Sequence, residues 1–170
     1  VMDAQDVEAC LILPTTGVGV ETQLRETPEV LYPSMRSFNR WLEEDWGFAA
    51  GGRIYGAPLL SLFDLDAGLA ELERILAAGA RFAILTAGPI AGRSPADPYF
   101  DPFWAGCQEA GVNVVYHIGR TPFSEMYNPS WGLRPHPPSH RHSLMEYAVS
   151  FTERPIVDTL TPLIADNLFG

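Results

Sequence analysis

Four short apolar runs, separated by amphipathic stretches, mark the first 117 residues of the chain. Uninterrupted apolar runs of this length are typical of strands that are buried on both faces of a parallel sheet. The predicted strands cover residues 9–13, 54–60, 82–85 and 112–117. Proline cannot donate to a sheet ladder, so Pro58 predicts that regular pairing of the second strand ends early or bulges.

Three helices are predicted between these strands, each from apolar residues at spacings of three and four. The first is expected to begin at Pro33 and Ser34. The second is expected to be capped by Asp64 or Asp66 and to end at Gly79. The third runs from Asp101 and Pro102 to Gly111. The inward faces are expected to hold Met35, Phe38, Leu42 and Trp46 in the first, Leu65, Leu69, Leu72 and Leu76 in the second, and Phe103, Cys107 and Ala110 in the third.

Strands that alternate with helices predict an α/β fold with a parallel sheet, because such crossovers are how parallel neighbours connect. We expect residues 1–170 to form one domain. The character changes after His117, where residues 119–142 form a long proline-rich stretch with three of the four histidines. Residues 143–169 again have a helical pattern, broken by Pro155 and expected to break again at Pro162.

Charge and composition narrow the class of partner. The chain has 21 acidic and 11 basic residues, a net charge of -10, which opposes binding to nucleic acid and to anionic membranes. No apolar run approaches the roughly 18 residues of a membrane span. Cys10 and Cys107 do not suggest a disulfide framework. We therefore expect a cytoplasmic protein with a small-molecule substrate, and the sequence leaves homo-oligomerisation open.

The sequence has 11 arginines and no lysine. For this segment, the absence of lysine excludes a Schiff-base nucleophile, a phosphate-binding P-loop lysine and a carbamylated-lysine metal bridge.

His117 is the strongest candidate for chemistry. It ends the fourth predicted strand, and ligands and catalysis collect at the carboxyl ends of parallel strands. Alternation puts Asn113, Val115 and His117 on one face. The more apolar face, with Val112 and Tyr116, is expected to meet the helices, so the imidazole would point inward as a metal ligand or proton carrier. The alternative is a strand-end histidine that bonds to a neighbouring carbonyl.

The proline-rich stretch holds weaker candidates. Arg120 and Arg134 could bind a substrate carboxylate through bidentate hydrogen bonds, and Trp131 is a third candidate for substrate binding. His140 and His142 are separated by one residue, so on a strand both side chains would lie on the same face and could bind a metal. The prolines around them disfavour a regular strand. They are expected to lie in a solvated or pocket-edge loop rather than to bind a metal.

Several segments resemble the amidohydrolase-2 family, which is related to aminocarboxymuconate semialdehyde decarboxylase. The resemblance runs through residues 39–46, through Arg53-Ile54-Tyr55 into Ala57-Pro58-Leu59, through 92–104, and through Ala110-Gly111-Val112 into His117. It covers roughly residues 8–169.

The resemblance implies a (β/α)8 barrel of TIM type, with one divalent metal, usually zinc, at the carboxyl end of its strands. The family's ligands are two histidines on strand one, one each on strands five and six, and an aspartate on strand eight. Taking residues 9–13 as strand two makes the His117 strand number five, so His117 is the one ligand that maps here. Strands one, six, seven and eight have no counterpart, and we expect these residues to be part of a longer protein and inactive alone.

Three functions remain open from the sequence. The first is a metal-dependent hydrolase acting on a small organic acid, amide, ester or lactone through a metal-activated water. The second is a non-oxidative decarboxylase of the same family. The third is a non-catalytic α/β domain that binds a ligand or a partner.

Overall fold

The computed structural model describes residues 1–14, 17–117, 160–161 and 164. The chain divides into two compact units. The first consists of Val1–Leu85 and Tyr99–Val115, and the second of Thr86–Pro98 and Tyr116–Gly170.

Four strands run in the same direction through the described residues. The first two, β1 (Cys10–Ile12) and β2 (Ile54–Gly56), pair in parallel, with Cys10 opposite Ile54. The next two, β3 (Phe82–Thr86) and β4 (Asn113–His117), form a second two-stranded sheet. The predicted α/β fold with parallel strands is therefore confirmed, whereas closure into a barrel stays a prediction.

The segment after β2 departs from regular pairing, as the proline at position 58 predicts. The β2 ladder ends at Gly56, and a single parallel bridge then joins Leu59 to Ile84. Ile84 N donates to Pro58 O at 2.8 Å, and Leu60 N donates to Ile84 O at 2.9 Å. The proline thus contributes its carbonyl to the bridge, where its missing N–H is not needed.

The burial predicted for β1 is wrong. Leu11 and Leu13 are 38% and 40% exposed. Within the described residues β1 pairs along one edge only, with β2, and the face that carries these two leucines is only partly covered. The apolar run was sufficient to predict a strand, but its burial depends on which elements pack over it.

Within residues 17–117, four α-helices accompany the strands: α1 (Val20–Leu24), α2 (Pro28–Asp45), α3 (Leu65–Ala77) and α4 (Asp101–Ala110). Helix α2 begins five residues earlier than predicted. Pro28 occupies the first helical position, where a missing N–H costs nothing, and Pro33 lies exposed inside the helix. Trp46, predicted on the inner face of this helix, lies at its C-cap and is 48% exposed.

Helix α3 agrees closely with its prediction. The Asp64 carboxylate caps it by accepting a hydrogen bond from Ala67 N at 3.0 Å. Gly79, after its end, has a φ of +88°, a left-handed conformation that glycine adopts without a steric penalty. Leu65 and Leu72 are buried, and Leu69 and Leu76 are half-buried.

A core cluster in the first unit joins the strands to α2. It consists of Leu31, Met35, Ala57, Leu59 and Ile84, all at most 4% exposed.

A buried polar network connects α2 to α3 and to the segment after β2. Asn39, which is 0% exposed, donates from Nδ2 to Leu59 O at 2.8 Å and to Glu71 Oε1 at 2.9 Å. Its Oδ1 accepts from Leu59 N at 2.8 Å, so the amide pairs with Leu59 as a neighbouring strand would.

The Glu71 carboxylate in this network is also paired with two arginines. Arg36 Nε lies 3.2 Å from Glu71 Oε2, and Arg74 Nη2 lies 2.9 Å from Glu71 Oε1. Arg74 also contacts Glu43 at 2.7 Å. Hydrogen bonding to Glu71 raises the pKa of the Arg74 guanidinium, against the opposing effect of its desolvation.

Among the described residues, none of the helices is both long and apolar enough to span a bilayer.

Candidate functional site

The candidate site lies at the carboxyl ends of β3 and β4. Helix α4 ends at Gly111, whose φ is +65°, and Val112 N donates to Cys107 O at 2.9 Å. This tight exit begins β4 at Asn113 and makes His117 its last residue.

The two strand ends are held together by main-chain hydrogen bonds. Ala87 N donates to His117 O at 2.9 Å, and Asn113 N donates to Arg81 O at 3.0 Å. In a parallel ladder these bonds place Phe82 opposite Asn113 and Thr86 opposite His117, 31 residues apart in each case, so the register is constant from one end of β4 to the other. The last residue of β3, Thr86, is therefore paired with His117.

The segment after β3, within the second unit, is a tight turn. Ala91 and Gly92 have φ values of +48° and +79°, and Ile90 and Arg93 form an antiparallel bridge across them. Arg93 Nη1 lies 3.3 Å from Asp97 Oδ2. These contacts give the segment a defined backbone path immediately after Thr86.

Burial does not distinguish the two faces of β4. Val114, Val115, Tyr116 and His117 are all half-buried, and Val115 packs against the core cluster of the first unit. The expected difference between a helix-facing side and an inner side is not seen. The inward orientation of His117 therefore stays a prediction.

The described residues do not complete a metal site. Within them there is no group of three or more His, Cys, Asp or Glu side chains that could hold a metal ion. A zinc site needs three or four protein ligands, and His117 would supply one. The part of the chain that the structure describes therefore fits a metal only as one contributor to a larger ligand set.

The other predicted site residues cannot be compared with the structure. Arg120, Trp131 and Arg134, and also His140 and His142, lie outside the described residues. Of the predicted site, the structure thus describes His117 alone.

A separate cleft of about 320 Å³ lies in the first unit between α2 and α3. Polar groups in its lining are used within the protein. Glu71 is paired with Arg36, and the Tyr32 hydroxyl accepts from Asp64 N at 2.6 Å. Desolvation raises the pKa of Tyr32. The cleft contains none of the predicted site residues, so we assign the candidate site to the β3 and β4 ends.

One residue of this site was not predicted. Thr86 ends β3 just as His117 ends β4. The reasoning that singled out His117, a polar side chain at the carboxyl end of a buried strand, applies equally to Thr86. The predicted strand stopped at Leu85, which concealed it.

Of the comparisons with known proteins, the one with solved structures gives a match. No protein-family model and no curated protein matches the chain. Among solved structures, the chain is similar to an amidohydrolase from Mycobacterium avium subsp. paratuberculosis K-10, with 34% sequence identity and a TM-score of 0.82. The similarity covers 99% of this chain and 43% of that protein, so the chain spans less than half of its length. This likeness along nearly the whole chain supports a relationship to the amidohydrolase superfamily.

Proposed function

We propose that this chain is part of a metal-dependent hydrolase of the amidohydrolase superfamily. Its substrate would be a small organic acid, amide, ester or lactone. The observation that carries the proposal is the likeness to a solved amidohydrolase over 99% of the chain at 34% identity.

The position of His117 supports the proposal independently. A parallel strand ends at this residue, and parallel α/β folds bind ligands and perform catalysis at that end of the sheet. We propose that His117 is one ligand of a single divalent metal, zinc being the first candidate, and that the remaining ligands come from outside the described residues.

The metal, when bound, would supply a Lewis acid that activates water for attack on a carbonyl. The contribution of this chain would be to hold the His117 imidazole at a fixed place. The Ala87–His117 hydrogen bond at 2.9 Å fixes the strand end that carries the imidazole. Arg120, Trp131 and Arg134 are proposed to bind the substrate.

The test is a turnover assay on the full-length protein, using a panel of amides, esters and lactones with and without a chelator. We expect hydrolysis that the chelator abolishes. His117→Ala should lower the metal content, measured by mass spectrometry, by at least ten-fold, because loss of a ligand removes a direct metal bond. Asn113→Ala is the matched control, since Asn113 lies exposed at the start of the same strand.

Three results would contradict this proposal. Turnover that is insensitive to the chelator would argue against a metal-dependent reaction. An unchanged metal content in His117→Ala would remove His117 from the ligand set. Release of carbon dioxide from aromatic acids, without hydrolysis of any substrate in the panel, would indicate a decarboxylase instead.

A further inference from the structure

We propose that Thr86 is a substrate-binding residue of the candidate site, whose hydroxyl donates a hydrogen bond to a substrate oxygen held beside His117. This inference rests on the proposed function, because it takes the β3 and β4 ends as the place where substrate binds.

The register brings the two side chains together. Because Ala87 N donates to His117 O, Thr86 and His117 are opposite each other in the parallel ladder. Side chains of opposite residues project from the same face, and neighbouring strands lie about 4.8 Å apart. A hydroxyl and an imidazole therefore stand next to each other at the ends of two strands.

The side chains on this face change from apolar to polar at Thr86 and His117. On the same face, two residues earlier, β3 has Ile84 and β4 has Val115, and both belong to the apolar packing of the first unit. Thr86 and His117 are the first polar residues after them on that face. A pair that can donate and accept hydrogen bonds, following directly on apolar positions, is a pattern typical of small-molecule sites.

The Thr86 hydroxyl is available for a ligand. Its side chain is half-buried, and within the described residues it makes no hydrogen bond. Thr86 is half-buried rather than buried, so part of the residue is in contact with solvent. A hydroxyl in this position can exchange its water for a substrate oxygen at little cost, since it can donate and accept.

The substrate group that fits is an uncharged or weakly charged carbonyl oxygen. An amide, ester or lactone carbonyl accepts from a hydroxyl without adding charge. We therefore choose benzamide, an aryl amide, as the probe.

Benzamide is titrated into the full-length protein with ¹³C-labelled threonine methyl groups, and Thr86→Val identifies the Thr86 signal. We expect the Thr86 methyl signal to shift in a saturable way. Thr86→Val, which keeps the shape and removes the hydroxyl, should weaken benzamide binding about five-fold, as expected for one net hydrogen bond. Thr86→Ser keeps the hydroxyl and should bind within about two-fold of the wild type.

The control is Thr22→Val in α1, which removes a buried hydroxyl that has no partner within the described residues. It should leave benzamide binding unchanged. Equal affinity in wild type and Thr86→Val, or a Thr86 signal that benzamide does not move, would overturn the proposal. If Thr86→Val does not fold, Thr86→Ser, which also lacks the methyl group, identifies the Thr86 signal, and Thr86→Ala, which also lacks the hydroxyl, replaces Thr86→Val in the affinity test.

The outcome is separable from that of the proposed function. Hydroxyl-dependent benzamide binding without turnover of any substrate would leave the Thr86 assignment standing and remove the hydrolase. Chelator-sensitive hydrolysis with unchanged benzamide binding in Thr86→Val would support the hydrolase and overturn the Thr86 assignment.

Discussion

Asn39 offers the most direct test of how this fold holds the segment after β2. Leucine at position 39 would keep the approximate size of the side chain and remove its amide. Three hydrogen bonds would be lost: two to the main chain of Leu59, each 2.8 Å long, and one of 2.9 Å to Glu71. Asn39, Leu59 and Glu71 are all buried, at 0%, 3% and 9% exposure respectively.

The expected loss of stability follows from the polar groups that would be left without hydrogen-bond partners. In Asn39→Leu the N–H and C=O of Leu59 would lose these partners in a dry environment, and each such group costs about 1–3 kcal/mol. Glu71 would keep Arg36 and Arg74 and would cost less. Greater burial of apolar surface by leucine would offset about 1 kcal/mol. We expect a net loss of about 3 kcal/mol, a large share of the 5–15 kcal/mol that is typical of a domain.

Urea denaturation followed by far-UV circular dichroism measures this change. The midpoint should fall while the slope of unfolding free energy against urea stays constant. Arg40→Ala, an exposed change on the same helix, is the control and should lie within about 0.5 kcal/mol of the wild type. A loss below about 1 kcal/mol in Asn39→Leu, with an unchanged slope, would show that the amide does not replace a strand partner.

Two further predictions concern packing and the buried thiol. Gly68→Ala should destabilise the protein by about 1–2 kcal/mol in the urea assay, because the added Cβ would lie 2.7 Å from Ser61 O, which outweighs the gain in helix propensity. Gly106→Ala is the control: its Cβ would meet only a side chain at 3.3 Å, so it should be neutral or stabilising. Burial raises the pKa of the Cys107 thiol from 9.0 to about 11. The unfolded thiol therefore loses its proton first as the pH rises, so the free energy of unfolding should be constant below about pH 8.5 and fall as the pH rises from 9 through 11, by at most about 3 kcal/mol in total. Urea melts at pH 8 and 10.5 check this, and a pH dependence equal to that of Cys107→Ala would contradict it.

Local signals predicted the elements well. Asp64 caps α3, Gly79 and Gly111 follow helix ends in left-handed conformations, and Pro58 marks the end of regular pairing, as expected. Each of these depends on the backbone preferences of one residue and its near neighbours, which the sequence states directly.

The burial of β1 was predicted wrongly because it depends on contacts with elements that are distant in the sequence. The sequence could not show that Leu11 and Leu13 would be 38% and 40% exposed, because their burial depends on the elements that cover β1. The position of Trp46 has a local cause: Gly47, with a φ of +72°, donates back to Leu42 O and Glu43 O, which ends α2 at Asp45 and leaves Trp46 at its C-cap.

The candidate site was predictable in part. His117 could be found because a polar residue at the end of an apolar strand is visible in the sequence. Its pairing with Thr86 could not be found, because Thr86 and His117 lie 31 positions apart. Their register is fixed by hydrogen bonds between the two strands, such as the one from Ala87 N to His117 O.

The sequence by itself determined the order of the four strands and of the helices α2, α3 and α4, because strand runs, helix faces, caps and turn glycines act over a few residues. The short helix α1 (Val20–Leu24) was not predicted. The tertiary structure alone decided that Asn39 binds the main chain of Leu59, that Glu71 is shared by Arg36 and Arg74, and that Thr86 stands opposite His117. Each of these contacts joins residues that are remote in the chain. They become neighbours only when packing of the helices and strands sets their relative positions, which no local preference encodes.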